Sequence, residues 1–196
     1  VAARTPLSAV ATGDQVVQQQ VIDATLDSAI RGLVVAFALT TVVLVGSYRL
    51  LEGRTVYGLL NLVPVLVTVG LLLASMRLLG IPLTPINAPI LSISIGLGVD
   101  YTVHFVHRFV DEHERQETLP ALSATVTGAG GALTGSMITT VSGIGVLAIS
   151  LIPLIQEFGI LIALGIGYAY LSSLVVTPSV IVVWERFGGR LSVPWR

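Results

Sequence analysis

The sequence has 196 residues, 54% of them hydrophobic and 11% charged, with a net charge of −1 and a mean hydropathy of +0.91. A soluble domain carries about 25% charged residues, whereas here the apolar residues fall in nearly charge-free runs of roughly the 20 residues that cross a bilayer, so a water-soluble globular protein is excluded. The charge balance argues against a nucleic-acid partner, and the lack of any cysteine excludes disulfides, thiol chemistry and zinc–thiolate sites.

Residues 1–27 are the only sizeable stretch ahead of the first apolar run. They open on Val1 and lack the charged-then-apolar form of a signal peptide, so we read this start as an internal position of a larger protein. Within them TGDQVVQQQVIDATLDSAIRG predicts a helix, with Asp14 as N-cap after the helix-breaking Gly13. It is expected to run unbroken into a first span over about 30–48. A second span covers about 57–79, with Pro64 inside it as a kink. The third covers about 87–109, the fourth 126–151 and the fifth 158–184. The expected fold is therefore all-α, an integral membrane bundle of about five transmembrane helices over 28–185, with a tail over 186–196.

The loops predict an orientation. Arg49 and Arg54 follow the first span, Arg108 and Arg115 the third, and Arg186, Arg190 and Arg196 the fifth. The opposite connections, GIPLTPI and IPLIQE, carry no basic residue. Positive loops stay in the cytoplasm, which places the N-terminal segment outside and the C-terminus inside. Arg77, at the outer end of its span, is the one discordant charge and is expected to snorkel to the interface. The charged segment FVDEHERQETL is expected to be a solvated cytoplasmic connector.

The third span holds SISIGLGVDYTVHFVHRF, with Asp100 near the middle of the apolar run. An aspartate at a helix centre costs roughly 2.5–3.5 kcal/mol on insertion scales. It is retained where it faces protein or a wet cavity, and so points to function. Apolar surroundings disfavour a carboxylate over its neutral acid. An acid in such a place, held in a dry helix interface, can take up and give up a proton, as a relay requires. A structural aspartate bonded to a neighbouring helix is the competing reading.

His104 and His107 lie at i+4 and i+7 from Asp100, on the same face and towards the cytoplasmic end. His104 can pass a proton onward, imidazole being the group that titrates near physiological pH, or it can be a satisfied polar residue of the bundle. His107, near the interface, is read as solvated. No third ligand with suitable spacing accompanies them, so no metal site is expected. Tyr101 lies about 100° round the helix from Asp100, so its hydroxyl faces a different neighbour and is free to serve another acid.

Gly96 and Gly98, and Gly131 and Gly135 in TGAGGALTGSMITTVSGIG, are small residues that let helices approach closely in membranes. Thr139 and Ser142 are candidate supporting hydroxyls for Asp100, against the alternative that they bond their own helix four residues back. GLG lacks the third glycine of a nucleotide loop and sits in an apolar span. With no nucleophile–base constellation and no cofactor motif, the sequence does not read as an enzyme.

The string GLGVDYTVHFVHRFVDE resembles the fourth-helix signature of the resistance–nodulation–division superfamily, closest to its prokaryotic MMPL-like, hydrophobe-exporting branch, whose membrane bundle is similar to the sterol-sensing domain. The resemblance runs over about 11–187, with the N-terminal helix matching the end of an extracytoplasmic porter domain and the five spans matching those that follow it. It implies a half or fragment of a proton-driven exporter of lipids or other hydrophobic compounds in a prokaryotic cytoplasmic membrane. It also implies that Asp100 and Tyr101 form half of a proton site, completed by a second pseudo-symmetric half or another copy. The first helix and porter domain that such a half carries are not in this sequence. Two alternatives remain open: a sterol-sensing-like, lipid-binding domain without transport, and a SecD/SecF-type protein-export subunit. The latter reads Asp-Ala-Asn at the signature where this chain reads Asp100-Tyr101-Thr102.

Overall fold

In the computed structural model of the protein, residues 14–51, 55–84 and 87–187 are described; Gly13, Arg54, Arg190, Arg196 and most of the predicted tail lie outside them. The elements run α1 (Asp14–Leu51), α2 (Thr55–Leu60), α3 (Leu62–Leu79), α4 (Pro89–His113), α5 (Thr118–Gly145) with a 3-10 turn (Val146–Ile149) at its end, and α6 (Pro153–Phe187). No strand occurs among the described residues. Among the described residues five spans are long and apolar enough to cross a membrane, α2 and α3 together making one of them. Helix is the form these sequences must take there, because lipid offers no partner to a free backbone N–H or C=O.

The predicted lead-in helix and first span are one continuous α1 of 38 residues. At about 1.5 Å per residue it is about 57 Å long, against a hydrocarbon core of about 30 Å. Helix α1 is thus longer than the hydrocarbon core is thick, and Asp27 and Arg31 in its N-terminal half form an exposed ion pair at 2.8 Å. The second span is broken at Asn61. Pro64 supplies no N–H and its ring opposes the carbonyl four residues back, at Leu60. The chain turns there, and Asn61 donates both its backbone N–H and its Nδ2 to the Tyr57 carbonyl, at 3.2 and 2.8 Å.

Gly80 ends α3 with φ of 67°, and its N–H and that of Ile81 both return to the Met76 carbonyl. A left-handed residue here favours glycine, which has no Cβ to clash. The loop then prepares α4. The Thr84 N–H donates to Asn87 Oδ1 at 2.7 Å, the Asn87 N–H donates to Thr84 Oγ1 at 3.3 Å, and Asn87 Nδ2 reaches the Pro82 carbonyl at 2.7 Å. This reciprocal pair is a capping box with asparagine in place of glutamate.

The helices begin and end differently from the sequence expectation mainly at the turn between α4 and α5. α4 continues to His113 and α5 starts at Thr118, eight residues before the predicted fourth span. The segment FVDEHERQETL is therefore not wholly a solvated connector. Phe109 is fully buried, His113 stacks on it at 5.1 Å, and His113 Nε2 lies 3.3 Å from Glu185 Oε1 in the last turns of α6. Thr118 donates to the other Glu185 oxygen. Arg108 pairs with Glu112 at 2.5 Å.

α6 is the central helix, packed against α3, α4 and α5, while α4 also meets α1 and α3. Two tyrosines stitch it in place: Tyr168 hydroxyl to Ser75 of α3 at 2.6 Å, and Tyr170 hydroxyl to Thr134 of α5 at 2.7 Å. α1 and α5 lie at the margins and leave most of their surfaces uncovered.

Candidate functional site

One face of α4 is packed and the other is open. Leu91, Ile95, Tyr101, Thr102, Phe105, Val106 and Phe109 are buried against the bundle, whereas Gly96, Asp100, His104, His107 and Arg108 are exposed. The 3.6-residue repeat separates the two sets. Asp100 stands on the open ridge, with its Oδ1 3.4 Å from His104 Nε2. The two side chains are 68% and 66% exposed, so the dry interface expected around Asp100 is not supplied by this chain alone.

A groove flanks the ridge on each side. Towards α5 a groove of about 430 Å³ is lined by Asp100, His104 and Arg108, facing Gly128, Ala132 and Ser136. Towards α1 one of about 490 Å³ is lined by Asp100, His104 and His107, facing Val43, Ser47 and Tyr48. The Arg108 guanidinium lies over Gly128, 3.7 Å from where a side-chain carbon there would sit.

Tyr101 follows Asp100 on α4 and lines the same groove towards α5. It is buried, meets Tyr170 edge-on at 6.3 Å and 76°, and shares the groove with Ser136. Tyr101, Tyr170 and Thr134 thereby tie α4, α5 and α6 together beside the ridge.

The predicted supporting hydroxyls are elsewhere. Thr139 donates to the carbonyls of Gly135 and Ser136 at 3.0 and 2.9 Å, the local bond that was its alternative reading. Thr139 and Ser142 are both exposed, and neither lines a groove at Asp100. Ser136 and Arg108 do, and both were missed. α4 and α5 are antiparallel neighbours joined by a short turn. Counting thirteen residues from each side of that turn sets Asp100 level with Gly131. Ser136 lies one to two turns past that level, while Thr139 and Ser142 lie two and three turns past it.

The four glycines divide. Gly98 is buried at ordinary contact distance, 3.8 Å, from Ala169 of α6 and Val65 of α3. Gly96, Gly131 and Gly135 meet nothing within 4 Å. The tightest helix crossings use glycines the sequence reading did not select. A carbon added at Gly58 would sit 2.9 Å from Val45 of α1, at Gly165 2.7 Å from Ser94 Oγ, and at Gly159 2.5 Å from the Ala148 nitrogen.

Comparison with known proteins agrees with this architecture. The family model of the MMPL family matches residues 1–195. A protein of Methanocaldococcus jannaschii described as a membrane protein is 34% identical over 153 residues, which is 75% of this chain and 39% of the relative. The chain thus spans about two-fifths of the length of that relative. With this match over residues 1–195, and with five helices among the described residues long and apolar enough to cross a membrane, the chain belongs to the MMPL family.

Proposed function

We propose that this chain is the membrane half of a proton-driven exporter of lipids or other hydrophobic compounds, in a prokaryotic cytoplasmic membrane, with Asp100 as the acid that takes up and releases the proton. The observation that carries the reading is the Asp100–His104 pair, 3.4 Å apart at mid-span on an open helix face. A charged residue at that depth costs several kcal/mol if it meets lipid. The face is therefore suited to be covered by protein, and the second half of the transporter is the natural cover. Gly96, Gly131 and Gly135 support this, since the open space beside each admits a close-packed helix. Covering would also supply the dry surroundings that the single chain lacks. Tyr101 then serves as a fixed element of the same interface.

Protonation of Asp100 removes a buried charge and changes which helix packing is preferred. One charge crossing 100 mV is worth about 2.3 kcal/mol, enough to bias an element with two arrangements. The rigid connection to an outer porter domain is α1, whose 38 residues pass from outside the membrane into the bundle without a break.

The test uses the full-length protein in vesicles containing a fluorescent phospholipid, with an imposed pH gradient. Wild-type protein is expected to move the lipid only with the gradient, and Asp100→Asn to fall to the level of protein-free vesicles while remaining folded in the membrane. Gradient-driven transport undiminished in Asp100→Asn defeats the proposal.

A further inference from the structure

Resting on the reading of Asp100 as the proton acid, we infer that His104, His107 and Asp111 form a proton-exit stripe along α4, carrying the proton from Asp100 to cytoplasmic water. The four residues are at i, i+4, i+7 and i+11, which at 100° per residue keeps them within about 40° of one line along the helix. All four are exposed on the open face. With a rise of about 1.5 Å per residue, His104, His107 and Asp111 stand about 6, 10 and 16 Å beyond Asp100. The last of these equals about half the 30 Å hydrocarbon core, so the stripe reaches from mid-membrane to the interface and ends there.

The stripe has a direction. Continued the other way, the same face of α4 carries Gly96, Ile93 and Pro89, and none of these holds a proton. Uptake from outside must therefore use a different route, and the α4 stripe serves the cytoplasmic half alone. Its surroundings are suited to it. On the α1 side Ser47 lines the groove that holds Asp100, His104 and His107, and Arg49 is the basic residue in the last turn of α1. On the α5 side Arg108 lines the groove beside Asp100 and His104, leans over Gly128 and pairs with Glu112, which offsets its charge. The transfers balance without any co-reactant. Asp100 Oδ1 gives its proton to His104 Nε2, leaving a carboxylate and an imidazolium. The imidazolium gives up its Nδ1 proton, through water, to His107, and His107 passes one to Asp111, which releases it.

The experiment is a pH jump on the full-length protein in vesicles, followed by time-resolved infrared spectroscopy of the carboxyl band that disappears in Asp100→Asn. His107→Ala is expected to slow the relaxation of that band on the order of 10²-fold, and added imidazole to restore it. Asp111→Asn is expected to slow it less. Imidazole rescue separates proton transfer from a merely structural role. An unchanged relaxation in both variants, or a slowing that imidazole does not relieve, overturns the stripe and leaves Asp100 in place. The absence of any pH-responsive band dependent on Asp100 overturns the proposed function and the stripe together.

Discussion

At the scale of single residues, what matters is which small side chains touch something. Gly159 faces the backbone of the 3-10 turn, with 2.5 Å to the Ala148 nitrogen, and backbone cannot step aside as a side-chain tip can. Gly159→Ala is therefore expected to overpack the α5–α6 corner and cost about 1–3 kcal/mol. Gly131→Ala and Gly135→Ala, with open space around them, should leave the fold of the bundle unchanged. Thermal unfolding in detergent decides this, and equal midpoints for the Gly159 and Gly131 variants would contradict it. The sequence marked Gly131 and Gly135 through their small-xxx-small spacing. Spacing identifies a face able to accept a helix but not which helix fills it. Gly159 has the same spacing with Ala163, but spacing does not show that its neighbour is a turn eleven residues back. Asp100 was legible because a carboxylate stands out in an apolar run. Ser136 was not legible, since it depends on the relative level of α4 and α5.

At the scale of elements, the helices were readable and the ends of α4 and α5 at their shared turn were not. Apolar runs mark where lipid begins. They do not mark where a helix stops, because charged residues such as Asp111 and Glu112 continue α4 past the apolar run. What holds these ends is a clasp: Glu185 of α6 accepts from Thr118 of α5 and meets His113 of α4, with Phe109 stacked beneath the imidazole. Glu185→Ala removes both contacts and is expected to cost about 1–3 kcal/mol, as for hydrogen bonds to a charged group. A double-mutant cycle with Thr118→Ala in thermal unfolding measures the coupling, and strictly additive effects would show that the clasp contributes nothing. The break at Asn61 was foreseen at Pro64. It falls three residues earlier because proline disturbs the turn before its own position.

At the scale of the whole molecule, α4 is packed against α3, α5 and α6, meets α1, and leaves an open ridge between α1 and α5. The fold class and number of spans followed from composition and run length. The exposure of Asp100 did not, since a sequence shows that a residue needs cover without showing whether its own chain provides it. If a second transporter half covers the face, Ser136→Cys and Ala132→Cys should be slow to react with a water-soluble thiol reagent in the full-length protein and should cross-link to the other half. The chain contains no cysteine of its own, so it adds no background. Rapid labelling at both positions would place that face in water instead.

The central claim is that Asp100 takes up and releases the transported proton. It is tested most directly by proton flux into vesicles holding the full-length protein and a trapped pH-sensitive dye, under an imposed gradient. The account predicts protein-dependent proton influx that Asp100→Asn reduces to the level of empty vesicles and Asp100→Glu partly preserves. Influx through Asp100→Asn equal to that of the wild type would contradict it.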